Sequence, residues 1–233
     1  MILACHQPLF LPWPGLFFKA MQADLLVLLD HVAFPMGTTW VSRNRIKNEG
    51  GSFWLTVPVR KKGRRNAPIN TIEIFNERDW RKKHYSSIRQ AYAHAPYLDD
   101  YLPFFSDLYV QSWGKLLDLN TTIFEYLKNA LNLKTPHLFS SQLGLHERGS
   151  NLLVEICQRT GADIYYTMAA SRKYLDEGAF EKAHIEITCY HFDPPIYPQL
   201  WGEFVANLSV LDMLLCCGPK SCELIQKSGL MRT

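Results

Sequence analysis

The chain has 233 residues, of which 47% are hydrophobic and 20% are charged, with a formal net charge of +3. This composition is that of an ordinary globular protein with a substantial core, which excludes a disordered or fibrous chain. The sequence has no apolar run long enough to span a bilayer, and its N-terminus lacks the positively charged start of a signal peptide. We therefore predict a cytoplasmic protein without a membrane span.

The first elements predict a parallel sheet. Apolar runs at 1–5 and 25–30 predict two buried strands, and residues 16–23 predict a helix between them. Such strands are joined by right-handed crossovers, and ligands bind at their carboxyl ends. His6 and Asp30 follow the two strands, so we predict both as catalytic residues.

The loop after the first strand carries polar side chains among prolines, from His6-Gln7-Pro8 to Trp13-Pro14-Gly15. Each proline restricts the backbone, so the loop should be rigid and suited to binding through Gln7 and Trp13. His6 could donate to a phosphate or carry a proton near neutral pH; alternatively, a backbone carbonyl holds it. Gly15 would permit close approach of an anion to the helix start.

Positive charge is concentrated in residues 41–90, which hold 13 of the 25 Lys and Arg residues but four of the 22 Asp and Glu residues. This window has a formal charge of +9, and the rest of the chain has −6. A concentrated positive field attracts anions. We expect an anionic ligand here, including at the basic run 60–65; a solvated loop without a ligand is the alternative.

Arg43-Asn44-Arg45 is the sharpest motif of this window. Arginine forks match phosphate geometry, and side chains at i and i+2 of an extended segment point the same way. We therefore predict that Arg43 and Arg45 clamp a phosphate and that Asn44 also binds substrate. Two exposed arginines without a ligand are the alternative.

The remaining elements alternate between strands and helices. Short β-type runs at 53–59 and 69–75 predict a hairpin-like pair or two sheet strands around the basic run. The predicted helices are 79–93, 101–109, 113–131, 150–161, 172–182 and 207–216, and the predicted later strands are 134–139, 163–167 and 185–191. We predict one α/β domain over 1–233, with a helical region around 79–131.

Further candidate binding residues lie in these elements. Lys83 and His84 belong to the basic part of helix 79–93. Tyr197 and Gln199 lie in a loop rich in proline and aromatic residues that could close over a ligand. Asn207 and Ser209 could offer donors at a helix start; a packing loop at the domain edge is the alternative.

Cysteine and histidine patterns predict neither a metal nor a cofactor. The six cysteines form no CxxC pair and the eight histidines form no HExxH motif, so free, mostly buried thiols are expected. Cys5 and His6 are consecutive strand residues that face opposite sides, so they cannot form a nucleophile–base pair.

Taken in order, these motifs resemble the WbqC-like protein family over residues 2 to about 225. The matching segments are His6-Gln7-Pro8, Leu11-Pro12-Trp13 with Gly15, Arg43-Asn44-Arg45-Ile46, Trp54–Val59, Asp79–His84, Ala95-Pro96-Tyr97, Gly161-Ala162-Asp163, Tyr174-Leu175, Tyr197–Leu200, and Asn207-Leu208-Ser209 with Asp212. Genes of this family lie among those for O-antigen and other bacterial surface glycans, so the resemblance implies a role in surface-glycan assembly. The chain departs from the family at Met168–Arg172, where a glycine-bearing stretch is common, and at Cys5.

The opening elements are also similar to the start of the nucleotidylyltransferase-like (Rossmann-like) fold. That fold usually carries an HxGH signature, of which only His6 is present here. We therefore predict an α/β fold with a parallel-sheet core of this kind and additional helices, and expect the adenylylating chemistry to be absent.

The best hypothesis is a transferase that acts on a nucleotide-activated or otherwise phosphate-bearing sugar, with an amino sugar as one option, in O-antigen biosynthesis. Arg43 and Arg45 would hold phosphate, and His6 would lie near the transferred group. Its partner would be an anionic small molecule, a nucleotide sugar or nucleotide, and the oligomeric state stays open. A non-catalytic binding or scaffolding protein of the glycan machinery is the alternative. Nucleic-acid binding ranks third, because RNP, KH and helix-turn-helix signatures are absent.

Overall fold

The computed structural model of the protein describes residues 1–37, 39–60 and 66–229. Most of the predicted basic run, at 61–65, lies outside the described residues. Arg60, at its start, donates a 2.6 Å hydrogen bond to the Glu77 carboxylate. In the part of the chain that is described, no helix combines the length and apolar character needed to cross a bilayer.

The described residues form seven strands and nine α-helices. The strands are β1 (Ile2–His6), β2 (Leu25–Leu28), β3 (Arg43–Asn48), β4 (Gly51–Thr56), β5 (His137–Phe139), β6 (Ile164–Met168) and β7 (Glu186–Tyr190). The helices are α1 (Pro14–Met21), α2 (Trp80–Ala91), α3 (Leu98–Val110), α4 (Leu116–Ala130), α5 (Gly149–Thr160), α6 (Ala169–Arg172), α7 (Glu177–Lys182), α8 (Val210–Cys217) and α9 (Ser221–Lys227).

Five parallel strands form the central sheet, in the order β5-β2-β1-β6-β7. This confirms the predicted α/β fold with a parallel-sheet core. Counted along the chain, the order is 3-2-1-4-5, which is that of a doubly wound sheet with its switch point between β1 and β6. Ligands in such folds bind at the carboxyl ends of the strands beside this point.

The strands separate at the switch point. The pairing of β1 with β2 continues to His6 and Leu28, whereas the pairing of β1 with β6 covers Ile2–Ile164 and Leu3–Tyr165. A crevice therefore opens between β1 and β6 toward their carboxyl ends.

Both faces of the sheet are buried, which explains why its central strands are apolar at nearly every position. Leu3, Cys5 and Val27 pack on one face against α5 and α7. Ala4 and Leu26 pack on the other face, where α1, α4 and α8 contribute to a larger core. The alternation of side chains along each strand sends successive residues to opposite cores.

The region around the basic run folds differently from the prediction. β4 pairs with β3 in an antiparallel hairpin, and residues 69–71 form a 3₁₀ helix. The predicted strand pairing between 53–59 and 69–75 is reduced to an isolated bridge between Val59 and Ile74. The hairpin is favoured because Gly51, with a φ of 101°, lets the chain reverse within a short turn after Asn48.

The helix predicted at 172–182 was also wrong in extent, because the structure has two short helices there, α6 and α7. The other predicted helices are present with bounds shifted by a few residues. Gly161 ends α5 with a φ of 71°, in the left-handed conformation that makes glycine a frequent helix stop.

Candidate functional site

A cavity of about 470 Å³ lies at the carboxyl end of β1. It brings together four predicted site residues from distant parts of the chain, and four further residues complete its wall. The lining residues are His6, Gln7, Leu9, Trp13, Pro35, Thr39, Trp40 and Asn207. We call it the His6 cavity.

His6 is half-buried in this wall, and its Nδ1 lies 2.9 Å from the backbone oxygen of Gln7. A carbonyl oxygen only accepts, so Nδ1 carries the proton and Nε2 of the neutral ring is left as an acceptor. Burial, together with the positive charge of Lys19, lowers the pKa of His6 to about 3. The ring is therefore neutral at physiological pH, and a pKa this low makes it a weak base. The contact with the Gln7 oxygen is the alternative in which a backbone carbonyl holds the ring.

Trp13 forms an aromatic side of the cavity, and Gly15 has a different role from the one predicted. The Trp13 ring packs edge-on against Phe192, with 5.2 Å between ring centroids. The same ring covers Gly15 so closely that a Cβ there would overlap it. Gly15 thus makes room for an indole, which occupies the space where a side chain at position 15 would project.

Arg43 and Arg45 lie on the same side of β3, as their spacing predicted, and both contact exposed indoles. The guanidinium of Arg43 lies 4.2 Å from the ring centre of Trp54, and that of Arg45 lies 5.9 Å from the ring centre of Trp40. The two indoles are 5.2 Å apart. Trp40 also lines the His6 cavity, so this cation–aromatic cluster lies beside the cavity and meets it through Trp40. Neither arginine is among the described residues that line the cavity.

Asn44, predicted to bind substrate, is fully buried between the two arginines. Its side-chain amide donates to the backbone oxygens of Leu11 and Phe10, at 2.5 and 3.4 Å. Leu11 has a φ of 44°, which is strained for a leucine. Asn44 therefore holds the loop that carries Trp13 and cannot reach a ligand in this conformation, so we revise its predicted role.

A buried asparagine that the sequence did not single out supports the same loop. Asn120, on α4, donates to the backbone oxygens of Pro8 and Val41 at 3.1 and 2.8 Å. Its signal in the sequence is weak: a polar residue on the apolar face of a long helix. Prolines alone do not make the loop rigid, since two buried amides also anchor it.

Asp30 lies at the carboxyl end of the strand next to β1, as predicted, but its carboxylate is fully occupied. Oδ1 accepts from Ser140 Oγ and Ser141 N at 3.1 and 2.9 Å, and Oδ2 accepts from Ser141 Oγ and Asn70 Nδ2 at 2.6 and 3.3 Å. The residue is also 2% exposed. This environment is that of an anchor between β2 and the turn after β5, and we revise the prediction of a catalytic role.

Ser140 also contacts His31, whose Nδ1 lies 2.6 Å from Ser140 Oγ. The combination of Asp30, His31 and Ser140 contains the residue types of a hydrolase triad, but the order of contacts differs. Asp30 and His31 both bind the serine, which is fully buried, so the histidine is not oriented by the carboxylate and the hydroxyl is not accessible. We interpret this cluster as structural.

Lys83 and His84 lie away from the His6 cavity. His84 is 5% exposed, and its Nε2 lies 3.1 Å from the backbone oxygen of Thr56. Burial lowers its pKa to about 4, so the ring is neutral and packs among Trp80 and Tyr109. Lys83 is exposed and lines a separate cavity of about 360 Å³. We revise the predicted binding role of His84 to one in packing.

Tyr197 and Gln199 belong to a buried polar network. Tyr197 and Tyr92 each donate a 2.7 Å hydrogen bond to the carboxylate of Asp212, and Gln199 donates to Tyr197 at 3.1 Å. The buried ammonium of Lys47 donates to Gln199 at 3.1 Å. These bonds fasten the loop to α2, α8 and β3. The loop therefore packs against the domain, which was the alternative interpretation, and we revise the expectation that it closes over a ligand.

Ser209 is buried, and its hydroxyl caps α8 by accepting from Leu211 N at 3.2 Å. Its backbone N–H donates to Arg45 O, and the next N–H donates to Pro12 O. Asn207, two residues earlier, has a φ of 57° and reaches the His6 cavity. Of this pair, Asn207 can contact a ligand in the cavity, whereas Ser209 is buried and holds the start of α8 in place.

The fold and this cavity define a class: an α/β protein with a doubly wound parallel sheet and a candidate site at the carboxyl ends of its strands. Comparison with protein-family profiles matches residues 7–224 to the WbqC-like protein family, to which the chain therefore belongs. It is 28% identical, over 220 residues, to the uncharacterized protein Rv1507c of Mycobacterium tuberculosis; the match covers 94% of each chain. No solved structure matches, so no structural neighbour supports the resemblance to the nucleotidylyltransferase-like fold.

Proposed function

We propose that this protein is a cytoplasmic transferase that acts on a nucleotide-activated or otherwise phosphate-bearing sugar in bacterial surface-glycan assembly. The observation that carries the proposal is a cavity lined by both His6 and Trp40, where the Trp40 ring lies 5.9 Å from the guanidinium of Arg45. The association of the family with surface-glycan genes supports the choice of a sugar.

The cation–aromatic cluster would bind the phosphate and the ring systems of the donor. The Nε atoms of Arg43 and Arg45 are buried and have no hydrogen-bond partner among the described residues. These buried Nε atoms lie out of a ligand's reach, so a phosphate would accept from the terminal nitrogens of the two guanidinium groups. Trp40 and Trp54 are 38% and 40% exposed, and indoles of this kind stack on nucleobases.

His6 would act as the general base once the substrate is bound. Its pKa of about 3 makes the free ring a weak base, so this role requires the negative charge of the bound phosphate to raise that pKa. Because Nδ1–H is held by Gln7 O, the Nε2 lone pair is available to accept a proton. In the proposed step, an acceptor hydroxyl or amine attacks the anomeric carbon of the donor and gives its proton to Nε2. The bond from that carbon to the phosphate oxygen breaks, and its electron pair leaves with the nucleotide, whose charge the arginines stabilise.

A thermal-shift panel of nucleotide sugars and nucleotides tests the proposal. A ligand at 100 times its dissociation constant stabilises the folded state by about 2.7 kcal/mol, which is readily measured. With a ligand identified, His6→Gln should keep its affinity and lower turnover by roughly 10²–10⁴-fold, as expected for a general base. His146→Gln, at an exposed position, is the matched control. A panel without any stabilising compound would contradict the proposal.

A non-catalytic binding or scaffolding protein is the second candidate, and one observation favours it. None of the described residues that line the His6 cavity is acidic, and the carboxylate of Asp30 is occupied. His6 therefore lacks a neighbouring carboxylate of the kind that orients many catalytic histidines. If His6→Gln reduces ligand affinity and no wild-type turnover is measurable with any acceptor, this second function is correct.

A further inference from the structure

A second cavity, of about 500 Å³, shares His6 and Gln7 with the first but is otherwise lined by different residues. It lies in the crevice where β1 and β6 separate, between Cys5 of one strand and Thr167 of the other. We call it the Lys19 cavity, after the cation in its wall. Neither the sequence motifs nor the proposed function gives Lys19 a role.

Lys19 is a buried cation. Its side chain projects from α1, the residue is 7% exposed, and Nζ donates a 3.0 Å hydrogen bond to the backbone oxygen of Cys5. An ammonium group has three N–H donors, so this bond occupies one of them. Burial lowers the pKa of Lys19 to about 8, which leaves the charged form in the majority at neutral pH.

The cavity supplies no negative charge to balance this cation. Among the described residues that line it, none is acidic and Lys19 is the only lysine or arginine. Its titratable neighbours Cys5 and His6 are neutral at pH 7, because burial raises the pKa of the thiol far above its usual range and lowers that of the imidazole to about 3. A buried charge without a counter-ion destabilises the folded state.

The N-terminus of α5 faces the same space. Gly149 and Ser150, its first two residues, line the cavity, and no described side chain caps the helix. The first N–H groups of a 12-residue helix and its dipole favour an anion there. Ser150 Oγ accepts from Asp176 N at 2.8 Å, which leaves its own O–H as a further donor.

We propose that a small molecule binds in the Lys19 cavity through an oxyanion, a phosphate or a carboxylate, which supplies the counter-ion of Lys19 and accepts from the start of α5. Since the two cavities share His6, the ligand would be the second substrate of the transfer. Only this last assignment rests on the proposed function; the anion site itself stands on the buried cation and the helix start.

Chemical modification of Lys19 tests the site in the wild-type protein. Acetic anhydride is applied at pH 8 in chloride, phosphate or acetate at equal ionic strength, and acetylation of each lysine is followed by peptide mass spectrometry. At ten times the dissociation constant of the anion, about one molecule in eleven has an empty site, so modification of Lys19 should slow about tenfold. Exposed Lys82 serves as the internal control.

Whichever of phosphate and acetate protects Lys19 at the lower concentration identifies the preferred oxyanion. Failure of both to protect it would overturn the inference. Protection that persists in Arg45→Ala separates this site from the cation–aromatic cluster beside the His6 cavity. Binding of a nucleotide sugar without protection of Lys19 by either anion would overturn the anion site and leave the proposed function standing.

Two variants add an independent readout. Lys19→Met removes the uncompensated charge, so in chloride its melting temperature should equal or exceed that of the wild type, and phosphate should stabilise it less. Lys82→Met should keep the wild-type response to phosphate. If Lys19 merely supports the Cys5 carbonyl, Lys19→Met would melt lower in chloride and respond to phosphate like the wild type, and the proposal would be wrong.

Discussion

Gly15 lies directly under the indole ring of Trp13, so that a Cβ atom at position 15 would overlap Trp13 Cη2. This ring then contacts Phe192 and forms one side of the His6 cavity. A residue without a side chain, in the first turn of α1, therefore decides where an aromatic wall of the candidate site stands.

Gly15→Ala should displace the indole and reshape the cavity. Because a methyl group cannot fit under the ring, we expect a loss of about 1–3 kcal/mol in the free energy of unfolding, the usual range for overpacking. Urea titration measures this loss, and weaker ligand binding should accompany it. Gly114→Ala is the matched control, since a Cβ there would meet nothing within 4 Å. Equal stability of the two variants would contradict the role given to Gly15.

Asp30→Ala should lower the stability of the folded protein. The substitution leaves Ser140 Oγ, Ser141 N and Ser141 Oγ without their buried acceptor, so we expect a loss of roughly 2–4 kcal/mol in the free energy of unfolding. Chemical denaturation measures it. The control Asp79→Ala removes an exposed carboxylate that makes no capping bond and should change stability little. An unchanged unfolding midpoint with lost turnover would restore the catalytic prediction for Asp30.

Arg45→Ala should weaken binding of a phosphate-bearing ligand by roughly 1.5–3 kcal/mol, the scale of a charge-assisted hydrogen bond. Its melting temperature should stay close to that of the wild type, because the β3 backbone that anchors Ser209 is unchanged. Isothermal titration calorimetry compares it with Arg89→Ala, which removes the same charge from an exposed position in the same basic window. Equal affinities of the two variants would remove Arg45 from the site.

His84 should make the protein less stable in mild acid. Its pKa is about 4 when folded and about 6.5 ordinarily, so below pH 6.5 the unfolded chain binds a proton that the folded state does not. Stability is therefore complete above pH 6.5 and falls by up to about 1.4 kcal/mol per pH unit between pH 6.5 and 4. The lowered pKa of His6 likewise makes the folded state less stable as the pH falls below 6.5.

Urea titrations at several pH values check this prediction. His84→Gln should show a shallower pH dependence than the wild type, whereas His146→Gln, at an exposed position, should keep it. Parallel pH profiles for all three proteins would show that the buried imidazole does not control acid stability.

Local patterns were enough to predict the fold class and the relative placement of two arginines. Two apolar runs with a helix between them predicted the parallel pair β1–β2, and the spacing of Arg43 and Arg45 placed both on one side of a strand. These features depend on residues close in sequence and on general rules for parallel sheets, which is why a single sequence predicts them.

The sequence by itself determined which side chains are present at the carboxyl edge of the sheet, and only the tertiary structure decided which of them are free. Asp30 is occupied by Ser140, 110 residues away, and Tyr197 by Asp212. No sequence pattern singles out Lys19, because a lysine in an apolar helix becomes informative only when its folded surroundings lack a carboxylate. Burial and hydrogen-bond partners come from distant segments, and they set both the availability and the protonation of a group.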